Sequence, residues 1–153
     1  MVDLEKVKYY SERIKKIKCA HAHGRTILAK PFLILAIIEL IDEGIYNKNE
    51  FKWEAGCYDD LLGAYKNQHY RYQPNEYQTP LFKPFYHLSN DGFWHLSLCN
   101  NKNSLPILSN KALREQGACG YFDEEFWTLL QDVSIRENFK ELIINFFIRK
   151  KTD

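Results

Sequence analysis

Ten consecutive residues, Phe32-Leu-Ile-Leu-Ala-Ile-Ile-Glu-Leu-Ile41, carry a single charge among them. Pro31 stands just before them, where a first-turn proline belongs, and Gly44 follows at the position of a C′ residue. The pattern predicts a helix over 32–42 that is apolar on nearly every side. Such a helix has to be covered all round, so the rest of the chain is expected to wrap it. The run is too short for a bilayer, which takes roughly 20 apolar residues. At 153 residues the chain fits one domain of 1–153 and is long enough for a real core.

The flanking segments supply the wrapping. Residues 3–19 have helical spacing, with Leu4, Val7, Tyr10, Ile14 and Ile17 on one face and cations on the other. Gly24 breaks that pattern, and 20–29 reads as a loop. A basic N-terminal helix over 1–24 then precedes a core of 25–148. Helical spacing resumes over Tyr58–Tyr65 with Leu61 and Leu62 inward. Residues 66–80 lack periodicity and read as an exposed loop rich in tyrosine. Residues 92–98 alternate as a strand, and Asn100–Asn103 is a hairpin-like turn. Ser109 is placed to cap a short helix ending at Gly117. Gly120–Phe122 is extended, and Asp123 and Ser134 each open a further helix, over 124–131 and 135–148. The expected fold is α+β, mainly helical: a bundle-like domain with a small antiparallel sheet.

Charge narrows the function classes. The formal net charge is only +1, so nucleic-acid binding would have to come from uneven placement. Placement is uneven: residues 1–30 hold eight Lys/Arg (Lys6, Lys8, Arg13, Lys15, Lys16, Lys18, Arg25, Lys30) against three acids (Asp3, Glu5, Glu12). Cys19, Cys57, Cys99 and Cys119 are far apart with no CxxC pair, which speaks against a zinc ribbon or disulfide scaffold and for reduced thiols. The charged N-terminus has no secretory h-region, and a cytoplasmic location is expected.

Little in the chain reads as catalytic. His21-x-His23 near Cys19 has no second ligand pair at a useful spacing, so no metal is expected. There is no G-x-S-x-G, no P-loop and no G-x-G-x-x-G, so neither a nucleophile elbow nor a cofactor is expected. Asp59-Asp60 and Glu124-Glu125 read as solvated helix charges rather than a metal-binding carboxylate cluster. Lys83-Pro-Phe-Tyr-His-Leu-Ser-Asn-Asp-Gly-Phe-Trp-His-Leu96 is different. Lysine and histidine interleaved with aromatics at this density suit a surface that grips a phosphate backbone by charge and apolar contact together. Arg25, Lys30, Lys83, His87, Arg71, Lys102 and Lys111 all fall in predicted loops or at helix starts, where recognition residues usually lie. Scattered solvated lysines are the plainer account of the same residues.

Three segments together resemble the sulfur-binding domain of type IV restriction endonucleases that recognise phosphorothioate-modified DNA, a domain also found at the N-terminus of HNH endonucleases. They are Lys30-Pro31 with the apolar helix, Pro84-Phe85-Tyr86-His87-Leu88 with Asp91-Gly92-Phe93-Trp94, and Leu113 through Gly120-Tyr121-Phe122. The match spans roughly residues 25–148. Two positions depart from the family pattern: Lys83 stands where an aromatic often precedes the proline, and Ala29 where a histidine often precedes Lys-Pro. The resemblance implies double-stranded, phosphorothioated DNA as partner. It implies a sulfur pocket walled by Pro84, Phe85, Tyr86 and His87, because sulfur is more weakly hydrated than oxygen and enters an apolar dimple at little cost. It implies backbone contacts from Arg25, Lys30, Lys83 and Lys111, and base reading by Ser109, Asn110 and Arg71. No HNH motif lies within these residues, so a recognition module without its own catalytic site is implied, with an endonuclease domain or subunit in trans. A sulfur-independent DNA reader and a protein-binding adaptor of a defence system are the alternatives.

Overall fold

The computed structural model describes residues 3–22, 24–98 and 107–149. Its centre is α2, Ala29–Asp42, in which every residue but Lys30, Glu39 and Asp42 is buried. Gly44 follows the helix with φ +76°, the left-handed conformation that ends a helix cleanly and that glycine adopts without strain. Helix α1, Leu4–Lys15, starts at Asp3, whose carboxylate accepts the backbone N–H groups of Glu5 and Lys6. It turns Tyr10 and Ile14 inward, while Leu4 is exposed. Tyr10, Ile14 and Ile17 belong to the same core as α2, so the basic N-terminal segment is not set apart from the rest.

Three short strands form an antiparallel sheet in the order β3 (Phe51–Lys52), β5 (Cys119–Phe122), β4 (Trp94–Ser97). Trp94 pairs with Phe122 and Leu96 with Gly120 across the centre. Beside β3, Asn49 imitates a strand residue: its Nδ2 donates to the Phe122 carbonyl at 2.7 Å and its Oδ1 accepts the Phe122 N–H at 2.8 Å. The inner face is aromatic, with Phe51, Phe85, Trp94 and Phe122 in edge and stacked contacts 5.0–5.9 Å between ring centres. The Trp94 indole N–H reaches the Phe85 carbonyl at 2.8 Å, so burying this ring leaves no unsatisfied donor on it.

Helices α5 (Asn110–Glu115, capped by the Ser109 hydroxyl), α6 (Glu124–Leu130) and α7 (Val133–Ile143) close the chain. Arg136 on α7 is buried and holds Asp42 at the end of α2 (2.6 Å) and the Leu130 carbonyl (2.8 Å). The last helix starts at Val133, two residues before the expected 135, because the cap is Asp132 and not Ser134: the Asp132 carboxylate accepts the Ile135 N–H. It runs into a π-helical turn over Ile144–Ile148.

Three further expectations are corrected. Residues 20–29 are not simply a loop: β1 (His21–Ala22) and β2 (Arg25–Thr26) pair as a hairpin with Gly24 in its turn at φ +74°. Helix α3 runs Cys57–Tyr72, well past Tyr65. Its buried stripe is Leu61, Ala64, Tyr65, Gln68 and His69, a true helical spacing filled in its second half by polar residues, so the apolar signal fades while the helix continues. Finally, Phe82–His87 is a helix, α4, and Leu88–Asp91 a 3₁₀ turn. Leu81, Pro84, Phe85 and Leu88 are buried at helical spacing, which explains the interleaving of aromatics with Lys83 and His87: one face is core. Asn100–Asn103, Lys102, Cys99 and His23 lie outside the described residues. Among the described residues no helix is long and apolar enough to cross a membrane.

A methyl group on Gly120 would overlap the Trp94 indole, because the central strand passes directly under that ring. Gly120→Ala is therefore expected to cost about 1–3 kcal/mol, the usual penalty of overpacking. Thermal melting should fall by several degrees with the far-ultraviolet dichroism kept.

Candidate nucleic-acid interface

A groove of about 780 Å³ opens along the N-terminal end of α2. One wall is the β1–β2 hairpin and the segment leading from it into α2. The opposite wall is built from α4 and from the residues that follow α3. Its floor includes Phe32, Tyr65 and His69.

Cations sit round it on unequal terms. Lys30 is the polar exception at the start of an otherwise apolar helix, and its Nζ donates to Asp91 at 2.7 Å. The pair is withdrawn from solvent, the lysine side chain 14% exposed and the aspartate 3%. The other Asp91 oxygen accepts the Lys18 backbone N–H at 2.9 Å. Asp91 thus ties three segments together: the end of the α1 region, the start of α2 and the turn after α4. Arg25 reaches Glu76 at 3.1 Å across the mouth of the groove. Lys83 is exposed on the first turn of α4, beside the buried Pro84, whose missing N–H costs nothing at that place in a helix. His87 is one turn on. Burial, then the charges of Lys30 and Lys83, lower its pKa from the ordinary 6.5, which favours the neutral imidazole.

The segment 73–80 is pinned from within. His69 Nε2 meets the Glu76 carbonyl at 2.8 Å; a carbonyl only accepts, so the proton is on Nε2. The Tyr65 hydroxyl donates to the Thr79 carbonyl at 2.7 Å, and the Arg25–Glu76 pair adds a third tie.

No protein-family model matches the chain, and no curated protein does. Solved structures do. The sulfur-binding domain of SprMcrA complexed with phosphorothioated DNA superposes with a TM-score of 0.71 over 96% of this chain and 88% of that one, at 17% identity. The sulfur-binding domain of ScoMcrA complexed with phosphorothioated DNA gives 0.70 over 92% and 88%, at 14% identity. The chain shares the fold of these sulfur-binding domains.

Within that fold the residues singled out in the sequence separate into two groups. Arg25, Lys30, Lys83, Pro84 and His87 all line the groove. Phe85 does not: it is fully buried and packs on Trp53 and Trp94, so its ring belongs to the core and not to a ligand wall. Tyr86 is partly buried against the core, edge-on to the His87 ring, and is not among the residues lining the groove. Ser109 spends its hydroxyl on the Ala112 N–H, and Asn110 and Lys111 follow it on α5 with Lys111 facing Glu115. Arg71 sits on α3 rather than in a loop, near Glu39 and over the Tyr72 ring. None of these four lines the groove. Sequence reasoning missed Tyr65, His69, Glu76 and Tyr77. The available signal was the i, i+4 spacing of Tyr65 and His69 on one helix face, hidden by the assignment of 66–80 to a loop.

Asp91→Ala strands a lysine in a part-buried site. The expected loss is about 2–3 kcal/mol, below the 3–5 typical of fully enclosed pairs because Lys30 keeps some contact with water. The double variant Lys30→Met with Asp91→Ala should be more stable than Asp91→Ala alone. Urea unfolding of these two variants, the Lys30→Met single variant and the wild type measures that coupling.

Proposed function

We propose that this chain is a DNA-binding module that recognises phosphorothioated double-stranded DNA through the groove beside α2 and α4. It would be the recognition part of a modification-dependent restriction system, working in the cytoplasm with an endonuclease domain or subunit supplied in trans. The observation that carries this reading is the shared fold, over more than nine-tenths of the chain, with two domains solved on phosphorothioated DNA. The groove suits the ligand in two respects. Pro84 and His87 offer a weakly polar wall, where a sulfur loses little hydration and an oxygen loses more. Lys83, beside them, is the exposed cation that meets the phosphate charge. Lys30 and Arg25 share their charge with Asp91 and Glu76, so their part is to shape the site as much as to attract the backbone. No cofactor or metal enters this reading.

The test is a paired gel shift on one duplex with and without a single sulfur, at fixed salt. A preference for the sulfur form of roughly 5- to 150-fold is expected, the range for a buried polar group left without a partner. Equal affinities would overturn the proposal. Two variants separate charge from shape. Lys83→Ala should weaken both duplexes, keep their ratio and reduce the salt slope by about 1. Pro84→Gly should lose most of the ratio while weak general binding survives, in a protein whose melting temperature is checked in parallel, since Pro→Gly also loosens the backbone.

A further inference from the structure

The groove is far larger than a sulfur atom requires. A water molecule's share of liquid volume is roughly 30 Å³, against about 780 Å³ here. Segment 73–80 supplies Gln73, Glu76, Tyr77 and Thr79 to its lining, and that segment has an unusual combination of properties. It is tied at Glu76 by both His69 and Arg25 and at Thr79 by Tyr65, yet between those ties it presents Tyr77 with 81% of its surface exposed. A large aromatic held out in water by a fixed loop gains nothing for the fold. Tyr77 lines the groove together with Arg25, Lys18 and Lys83. An exposed aromatic among backbone-seeking cations can pack on the deoxyribose or on a base edge while the cations hold the phosphates. A tyrosine orders only two side-chain torsions when it packs, so little is lost on contact.

Resting on the function proposed above, we infer that Tyr77 is a DNA-contacting residue that packs on the base or deoxyribose flanking the modified phosphate, a second subsite distinct from the Pro84–His87 wall. It supplies affinity without charge and without regard to sulfur. Tyr70 provides an internal control: it is 77% exposed on the same helix-and-loop unit and is not among the residues lining the groove.

The experiment starts from the wild-type protein bound to the phosphorothioated duplex, so a failure of the general reading is seen before any variant is made. Tyr77→Ala should then weaken binding of the sulfur and oxygen duplexes alike by roughly 5- to 10-fold, the loss of one aromatic packing contact, with the salt slope unchanged. Tyr77→Phe should retain most of the affinity, and Tyr70→Ala all of it. Because Tyr77 is exposed, its loss should leave melting unaltered. Unchanged binding by Tyr77→Ala overturns the inference. So does an equal loss from Tyr70→Ala, which would mark a diffuse effect. So does a Phe variant as weak as Ala, which would make the hydroxyl the contact. Duplexes with an abasic site on either side of the sulfur tell base from sugar. If the base is the partner, the gap between wild type and Tyr77→Ala closes at one abasic position; if the sugar is, the gap persists at both.

Discussion

A helix without a polar face cannot sit at a surface, and nearly every other element here is arranged by that demand. Helices α3, α4 and α7 each lend α2 an apolar side, and α1 packs in turn on α6 and α7. The covering is open only at Lys30, Glu39 and Asp42, and at the first turn Lys30 brings a charge into a region largely withdrawn from water. Removing an ammonium from water is affordable only against a well-placed anion, and Asp91 supplies it. The pair therefore fixes where the turn after α4 must lie relative to α2. The groove is the space left between those two elements and the hairpin that precedes α2. The Lys-Pro and Asp-Gly signals, sixty residues apart in the chain, are halves of one contact.

The charges around the groove show why a net charge of +1 says little about what a surface attracts. Two of the cations counted from the sequence are committed to carboxylates within the molecule, and the pKa of a nearby histidine is lowered by its surroundings. What is left to a ligand is a pair of exposed lysines, Lys83 on α4 and Lys18 beyond the end of α1, framed by weakly polar surface. Such a field is local. It favours a ligand that offers one negative charge with an apolar neighbour over one that offers only charge.

Much of the architecture was legible. The uninterrupted apolar run, its proline and its glycine marked α2, and Ser109 and Gly44 marked helix ends, because capping chemistry is local and its side chains are few; Asp123 also stands at a helix start, though its carboxylate goes to Tyr10 and His95 and not to the helix. The end of α3 was not legible, because Gln68 and His69 fill positions where periodicity looks for apolar residues; they are buried by what packs on them later. The stretch 82–88 shows the same limit from the other side. Its aromatics read as one surface, but helical geometry sends Phe85 to the core and Lys83 to solvent. Of the groove, the residues contributed by the hairpin, α2 and α4 stood out by type, whereas those from α3 and 73–80 became visible only once backbone carbonyls of Glu76 and Thr79 were seen as acceptors.

The ties on segment 73–80 bear on time as well as on shape. A loop held by a histidine, a tyrosine and an arginine has lost its conformational freedom already at folding, so an arriving partner meets a finished surface and no ordering step follows the encounter. Association should then approach the rate set by diffusion and steering, and differences among ligands should be expressed in how long they stay. Cutting one tie, by removing the Tyr65 hydroxyl for instance, shifts that balance: the same contacts form, but only after the loop has been searched into place, and the delay appears in the on-rate.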